Sequence, residues 1–231
     1  MRPRLLDLFC CAGGAGTGYY RAGFDVVGVD IDPQPRYPYE FHQADALEYL
    51  AEHWREFDAI HASPPCQAYS TTKHAYDSDG KHPDLLEPTR LALITTGLPY
   101  VIENVEGAPL LNPLVLCGSE FDLRAPDVDG VILALKRHRL FESNVWLWGA
   151  GGCSHDPETK IAGVYTGSYH KHPEHRDDPA RRGGYTPAHS VRADLLGIDW
   201  NMNEHELAQA IPPAYTAFIG AQLIEALELA A

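Results

Sequence analysis

The sequence predicts an α/β protein built on a doubly wound, mainly parallel sheet, with a small irregular annex. Three observations carry this prediction. Between residues 5 and 105, short apolar runs of strand length alternate with helical stretches. The first run opens directly into a glycine-rich turn, Gly13-Gly14-Ala15-Gly16-Thr17-Gly18. Later runs end in a functional-looking group, Asp30, Cys66 or Glu103, which is where open α/β sheets gather ligands and chemistry.

The elements follow in order. Leu5 to Phe9 is a short buried strand, and the glycine turn leads from it into a helix through Arg21. Asp25 to Asp30 is a second buried strand closing on an acid, and Phe41 to Asp45 is a third short element. A helix follows from Ala46 to about Arg55, then strands over Phe57 to Ala62 and Tyr100 to Val105. Residues 143–190 read differently: Trp, Gly, His, Pro and Arg dominate, and neither strand nor helix period persists. Helical patterning returns at Ala193 and ends in Tyr215 to Leu229. The expected division is 1–142, 143–192 and 193–231, the last part returning to the first.

Composition narrows the setting. A chain of 231 residues can bury one full core with a small annex. No apolar run approaches the ~20 residues of a membrane span. The start, Met1-Arg2-Pro3-Arg4-Leu5-Leu6-Asp7, meets an acid too early for a signal peptide, so a cytoplasmic protein is expected. Five scattered cysteines without a CxxC pair fit a reducing compartment and a working thiolate better than a disulfide framework. A net charge of -14, taken alone, argues against nucleic acid. Residues 133–192 run the other way, with 9 Lys and Arg against 6 Asp and Glu, and with six of the twelve histidines.

Four groups could carry chemistry. Cys66 sits on the proline-stiffened turn Pro64-Pro65-Cys66-Gln67 after a strand, with Ser70 near; the plain alternative is an inert buried cysteine. Gly13, Gly14, Gly16 and Gly18 allow a ligand close to the backbone; Asp30 is placed for ribose hydroxyls and Asp45 for an adenine edge. The alternative is ordinary turn chemistry. Glu103 closes an apolar strand, so its carboxyl is either functional or paired, or else caps a helix; among apolar groups its pKa would rise. Arg137 and Arg139 lie on one side of an extended segment, suited to a phosphate or carbonyl oxygen unless they are simply solvated.

Taken together and in this order, these residues resemble the cytosine-C5 DNA methyltransferases that use S-adenosylmethionine. Asp7-Leu8-Phe9 with Gly13-Gly14, extended by Arg21-Ala22-Gly23-Phe24, is similar to that family's first motif. Asp30 and Asp45 match the acids of the second and third. Ser63-Pro64-Pro65-Cys66-Gln67-Ala68-Tyr69-Ser70 resembles the nucleophile loop, Glu103-Asn104-Val105 the ENV motif, and Arg137 with Arg139 the QxRxR pair. Gln209-Ala210-Ile211-Pro212-Pro213 is similar to the closing motif. Cys11 replaces the family's usual glycine, Leu135 its glutamine, and Gln209-Ala210 its Asn-Ser.

The resemblance implies a Rossmann-like methyltransferase sheet with a very short target-recognition region, roughly 50 residues between Phe141 and Ala193. It implies S-adenosylmethionine held by Phe9, Cys11, Ala12, Gly13, Gly14, Asp30, Ile31, Asp45, Ala46, Pro65 and Ala210. It implies catalysis by Cys66, Glu103, Arg137 and Arg139 on a cytosine flipped from DNA, with Gln67 and Ser70 beside it. The loop from Ala68 to about Pro88 is expected to close over the base. Lys160, Lys171, Arg176, Arg181, Arg182 and Arg192 are the expected phosphate contacts. A monomer in a bacterial or phage-infected cell, acting alone or beside a restriction partner, completes the expectation.

Rival readings are methylation of RNA or a free cytosine nucleotide, a catalytically silent nucleic-acid-binding module, and a thiol-transfer enzyme. Cys153, His155, His170, His172, His175 and His189 do not follow a zinc-finger spacing, so no metal is expected.

Overall fold

The computed structural model describes residues 2–66, 69, 84–165, 172–177 and 185–230. Its parallel body is formed by β1 (Arg4–Leu8), β2 (Asp25–Asp30), β3 (Glu40–Gln43), β4 (Ala59–Ala62) and β5 (Tyr100–Asn104). The crossovers among these strands carry α1 (Gly14–Ala22), α2 (Ala46–His53) and α3 (Leu86–Thr96). β6 (Leu114–Leu116) and β9 (Arg139–Ser143) complete a sheet ordered β3-β2-β1-β4-β5-β9-β6, in which β9 runs antiparallel to both neighbours. This is the doubly wound, mainly parallel fold expected from the alternating pattern.

Alternation along each strand sends side chains to two buried faces. Leu6, Leu8, Val27, Val29, Ile60, Ala62 and Ile102 pack with Leu50 of α2 and Leu93 of α3. Leu5, Val26, Ala59, Val101 and Phe141 pack on the other face with Tyr19 of α1 and with α6 (Pro213–Ala230). At the carboxyl ends that second face turns polar: Asp7, His61 and Glu103 all occupy its positions. The apolar strands thus end in a row of buried polar groups on the side covered by α1.

The α1–α6 contact explains part of the glycine run. A Cβ at Gly14 would stand 2.6 Å from the Ile211 carbonyl oxygen, and one at Gly18 2.0 Å from Thr216 Oγ1. Thr216 Oγ1 donates to the Ala15 carbonyl at 2.8 Å. These glycines let two helices approach, so the closing motif returns against the first one.

Three further strands, β7 (Arg124–Pro126), β8 (Ile132–Leu135) and β10 (Lys160–Ala162), form a small sheet ordered β10-β8-β7. Its core includes Leu133, Leu135, Ala162, Val164 and Tyr185. It is covered by α4 (His189–Leu196) and reaches Leu207 of α5 (Glu204–Gln209). α4 starts four residues ahead of the helical patterning read from Ala193. β10 went unseen in the sequence because three residues cannot display a period of two. Among the described residues, no helix is long and apolar enough to cross a membrane.

Candidate active site

The thiol side of the site is built by β4 and β5, which pair in parallel with Ala62 opposite Ile102. β4 therefore delivers Pro64-Pro65-Cys66 next to the end of β5. Asn104 Nδ2, buried, donates to the Pro64 carbonyl at 3.0 Å and fixes the turn there. Cys66 remains partly exposed. Burial raises its thiol pKa and the Glu103 charge adds to this, while Arg139 and Arg137 pull the other way.

Glu103 and Arg139 meet because of strand register. Glu103 pairs with Phe141 across the antiparallel β5–β9 ladder, and Arg139 lies two residues from Phe141 on the same face. Arg139 Nε stands 3.0 Å from Glu103 Oε1, with the two side chains 15% and 8% exposed. Burial raises the Glu103 pKa, and the two arginines and a Ser63 hydrogen bond oppose that rise without cancelling it. A carboxyl so placed holds a proton more readily than a solvated one.

Behind Glu103 runs a polar relay that the motifs did not reveal. Ser63, which bonds Glu103, has its Oγ 2.9 Å from His61 Nε2, and the Tyr19 hydroxyl is 3.0 Å from His61 Nδ1. His61 is fully buried, and burial pulls its pKa down to about 3, so the ring is neutral. The consistent tautomer carries the proton on Nε2, donates to Ser63 and accepts from Tyr19. The only sequence signal was a histidine and a serine at i and i+2 in an otherwise apolar strand end.

Arg137 occupies a different environment from Arg139. It is buried, donating from Nη2 to the Ala208 carbonyl at 2.6 Å and from Nη1 to that of Val164 at 3.4 Å. The Tyr215 hydroxyl donates to its backbone carbonyl at 2.6 Å. Burial and the neighbouring Arg139 charge lower its pKa to about 9. Arg137 thus ties the start of β9 to Val164 and α5, and its bound nitrogens correct the expectation that it faces the substrate beside Arg139.

The glycine turn holds the other end. Phe9 and Cys11 both adopt left-handed backbone angles, φ 58° and 45°. Asp30 is buried, its Oδ2 accepting the Cys11 N–H at 2.9 Å and its Oδ1 the Asp32 N–H at 3.0 Å. Ile31 beside it is 67% exposed. Asp45 caps α2, its Oδ1 accepting from Leu47 and Glu48, with Ala46 buried below. Ala12 is buried, and its carbonyl accepts from Trp200 Nε1 at 3.1 Å. Gly14 lies against Ala210 and Ile211, and the space a Cβ would need at Gly13 is taken by Pro38 and Tyr37.

Two expected phosphate contacts are withdrawn. Arg176, its side chain 8% exposed, pairs with Asp127 and with Asp129 at 2.9 Å. Arg192 is fully buried, bonded to the Tyr165 carbonyl at 3.1 Å and to Glu204 Oε2 at 2.6 Å. Both spend their charge on carboxylates of this chain, so neither stands as a free surface cation. Lys160 is exposed and pairs with Asp177 at 2.7 Å. Gln67, Ser70, Lys171, Arg181 and Arg182, and most of the loop after Cys66, lie outside the described residues. An open groove of about 380 Å³ beside this site is lined by Glu106, Lys136, His138, Ile161, Gly163 and Tyr165.

Residues 3–109 match the family model described as C-5 cytosine-specific DNA methylase. Over 123 residues the chain is 32% identical to the type II methyltransferase M.XorII of Xanthomonas oryzae, a match covering 46% of this chain and 29% of that protein. The chain therefore matches less than a third of that relative's length. Two solved structures share the fold over 98% of this chain and 99% of theirs. One is named as a DNA modification methyltransferase encoded within an E. coli prophage, with 16% identity and a TM-score of 0.56. The other is the Dnmt2 methyltransferase of S. pombe, with 13% identity and a TM-score of 0.57. The motifs and the family match point the same way: residues 3–109 are similar to the C-5 cytosine-specific DNA methylase domain, and the whole chain shares the fold of these methyltransferases.

Proposed function

We propose that this chain transfers a methyl group from S-adenosylmethionine to carbon 5 of cytosine in DNA. The observation that carries the reading is the pair of buried Glu103 and half-buried Arg139 at 3.0 Å, set at the strand end next to the one that presents Cys66. A thiol, a carboxyl with a raised pKa and a guanidinium around one point are what a cytosine ring needs for activation.

The turn suits the methyl donor. Asp30 presents a carboxylate at a strand end, Ile31 an open apolar face for a ring, and the Phe9–Gly14 backbone a tight cradle. Asp45 and Ala46 would meet the adenine edge, with Pro65 and Ala210 lining the remainder. S-adenosylmethionine supplies an electrophilic methyl on a sulfonium. Cys66 as thiolate adds to C6 of the base. Glu103 gives a proton or hydrogen bond to N3, and Arg139 binds O2, so charge entering the ring is stabilised. C5 then takes the methyl, loses its proton to a base or water, and Cys66 is eliminated. Within a duplex the base must first leave the stack, at a cost of a few kcal/mol.

A second reading, methylation of RNA or a free cytosine nucleotide, is favoured by one observation: Arg176 and Arg192 are spent internally, which thins the cationic surface. Labelled methyl transfer to duplex DNA, RNA and dCMP tests both. Incorporation into DNA at C5, abolished by Cys66→Ala, is the expected result. Turnover retained in that variant overturns the mechanism, and incorporation into RNA or dCMP alone selects the second reading.

A further inference from the structure

Four soft and borderline donor groups converge outside the reaction site. Cys117 Sγ, His138, Cys153 Sγ and His155 offer ligand atoms that all lie within 4.8 Å of one another. They come from three separate segments: the end of β6, the residue between Arg137 and Arg139, and the loop 153–155. No contiguous spacing announces such a set, which is why the finger-spacing argument did not find it.

The surroundings are those of a ligand set. Cys117 is fully buried, and its sulfur accepts from the Glu120 N–H and, at 3.4 Å, from the Ser119 hydroxyl, which fix its direction. His138 directs Nδ1 to Glu106 Oε1 at 3.3 Å, while its buried Nε2 has no hydrogen-bond partner among the described residues. A carboxylate behind one imidazole nitrogen with the other left free is the usual arrangement of a metal-bound histidine. His155 Nε2 stands 3.3 Å from Cys117 Sγ. Tetrahedral zinc bonded to sulfur at about 2.3 Å and nitrogen at about 2.0 Å sets its ligand atoms roughly 3.3–3.8 Å apart. The loop is held in place by Gly152 N donating to Glu120 Oε1 at 3.0 Å and Ser154 N to Ser119 Oγ at 3.2 Å.

We propose that Cys117, His138, Cys153 and His155 bind one zinc ion tetrahedrally and so clamp the loop 153–155 onto the segment that carries Arg137 and Arg139. Two thiolates balance the charge of the ion, and both thiols lose their protons when it binds. All four positions are filled by protein, so the ion is structural rather than a site for substrate. Because His138 lies between the two arginines, the ion limits how far Arg139 can move from Glu103.

Metal analysis of the full chain, purified without chelator, should find about one zinc per chain. Cobalt titrated into the stripped protein should give the intense visible bands of tetrahedral, thiolate-ligated cobalt. Cys153→Ser, at an exposed position, should weaken zinc binding at least 100-fold, and Glu106→Gln about 10-fold. Cys66→Ser should keep the full metal content. A folded wild-type chain that binds neither ion would overturn the proposal. So would a Cys117–Cys153 disulfide in the reduced-purified protein, or unchanged cobalt affinity in Cys153→Ser.

Discussion

Arg139 is the diagonal cross-strand neighbour of Glu103, because β9 runs antiparallel to β5 and places Phe141 opposite Glu103. Two motifs about 35 residues apart in sequence thus become one ion pair through strand register alone. The two residues should act as a unit. Arg139→Lys keeps the charge but loses the planar fork, and should lower the methyl-transfer kcat about 10²–10³-fold. Glu103→Gln should cost about 10²–10⁴-fold. In single-turnover assays the double variant should lose much less than the product of the two effects.

Cys66 should be a sluggish thiol when no substrate is bound. Its pKa is raised, so alkylation by iodoacetamide, followed by peptide-resolved mass spectrometry, should have its midpoint above that of an ordinary cysteine. Glu103→Gln removes a charge that raises the pKa and should move the midpoint down. Arg139→Met removes one that lowers it and should move the midpoint up. Shifts in the reverse directions would show that these charges do not face the thiol.

Asp7 should make the protein less stable as pH rises. It is fully buried with Oδ1 unpartnered, and burial pushes its pKa up to about 8 despite the Tyr37 hydroxyl at 3.0 Å. An acid whose folded pKa exceeds its unfolded value near 3.8 binds a proton more tightly when folded. Its contribution is therefore full below about pH 4 and is lost as pH climbs towards 8. Across that window the slope should reach about 1.4 kcal/mol per pH unit, and Asp7→Asn should abolish this share of it. Urea denaturation at several pH values measures it.

Arg90 should be a stability residue rather than a functional one. It makes a two-pronged pair with Glu142, both bonds 2.8 Å, with side chains 7% and 4% exposed. Arg90→Met leaves a buried carboxylate without its cation, bonded only by the Leu111 N–H at 2.8 Å, and should cost about 3–5 kcal/mol. Adding Glu142→Gln should recover a good part of that loss in the same denaturation experiment.

Cys11 should tolerate the glycine found at its position in the family. At φ 45° it occupies backbone space that a side chain strains, by about 1–2 kcal/mol. Cys11→Gly should raise Tm by a few degrees or leave it unchanged, since glycine loses more freedom on folding. A marked fall in Tm would mean that the half-buried Cys11 side chain contributes more by packing than the backbone loses by strain.

The sequence by itself determined the five strands, α1 and α2 of the parallel body, because both faces of that sheet are buried and each strand is a continuous apolar run bounded by turn residues, whereas α3 emerged only in the structure. It also singled out Cys66, Glu103 and Asp30, since each ends or follows such a run, and Arg139 for its place beside Arg137 on an extended segment. Tertiary structure alone decided how the charges are used. Arg137 read as a substrate-facing cation and Arg176 and Arg192 as phosphate contacts, yet each finds carbonyls or carboxylates from segments up to 71 residues away, Arg137 and Arg192 being buried and Arg176 partly so. The Tyr19–His61–Ser63 relay and the four-donor cluster likewise depend on which strands become neighbours. Local composition sets what a segment can form, because period and turn chemistry are local. Partners are set by register and crossover, which no short stretch of sequence contains.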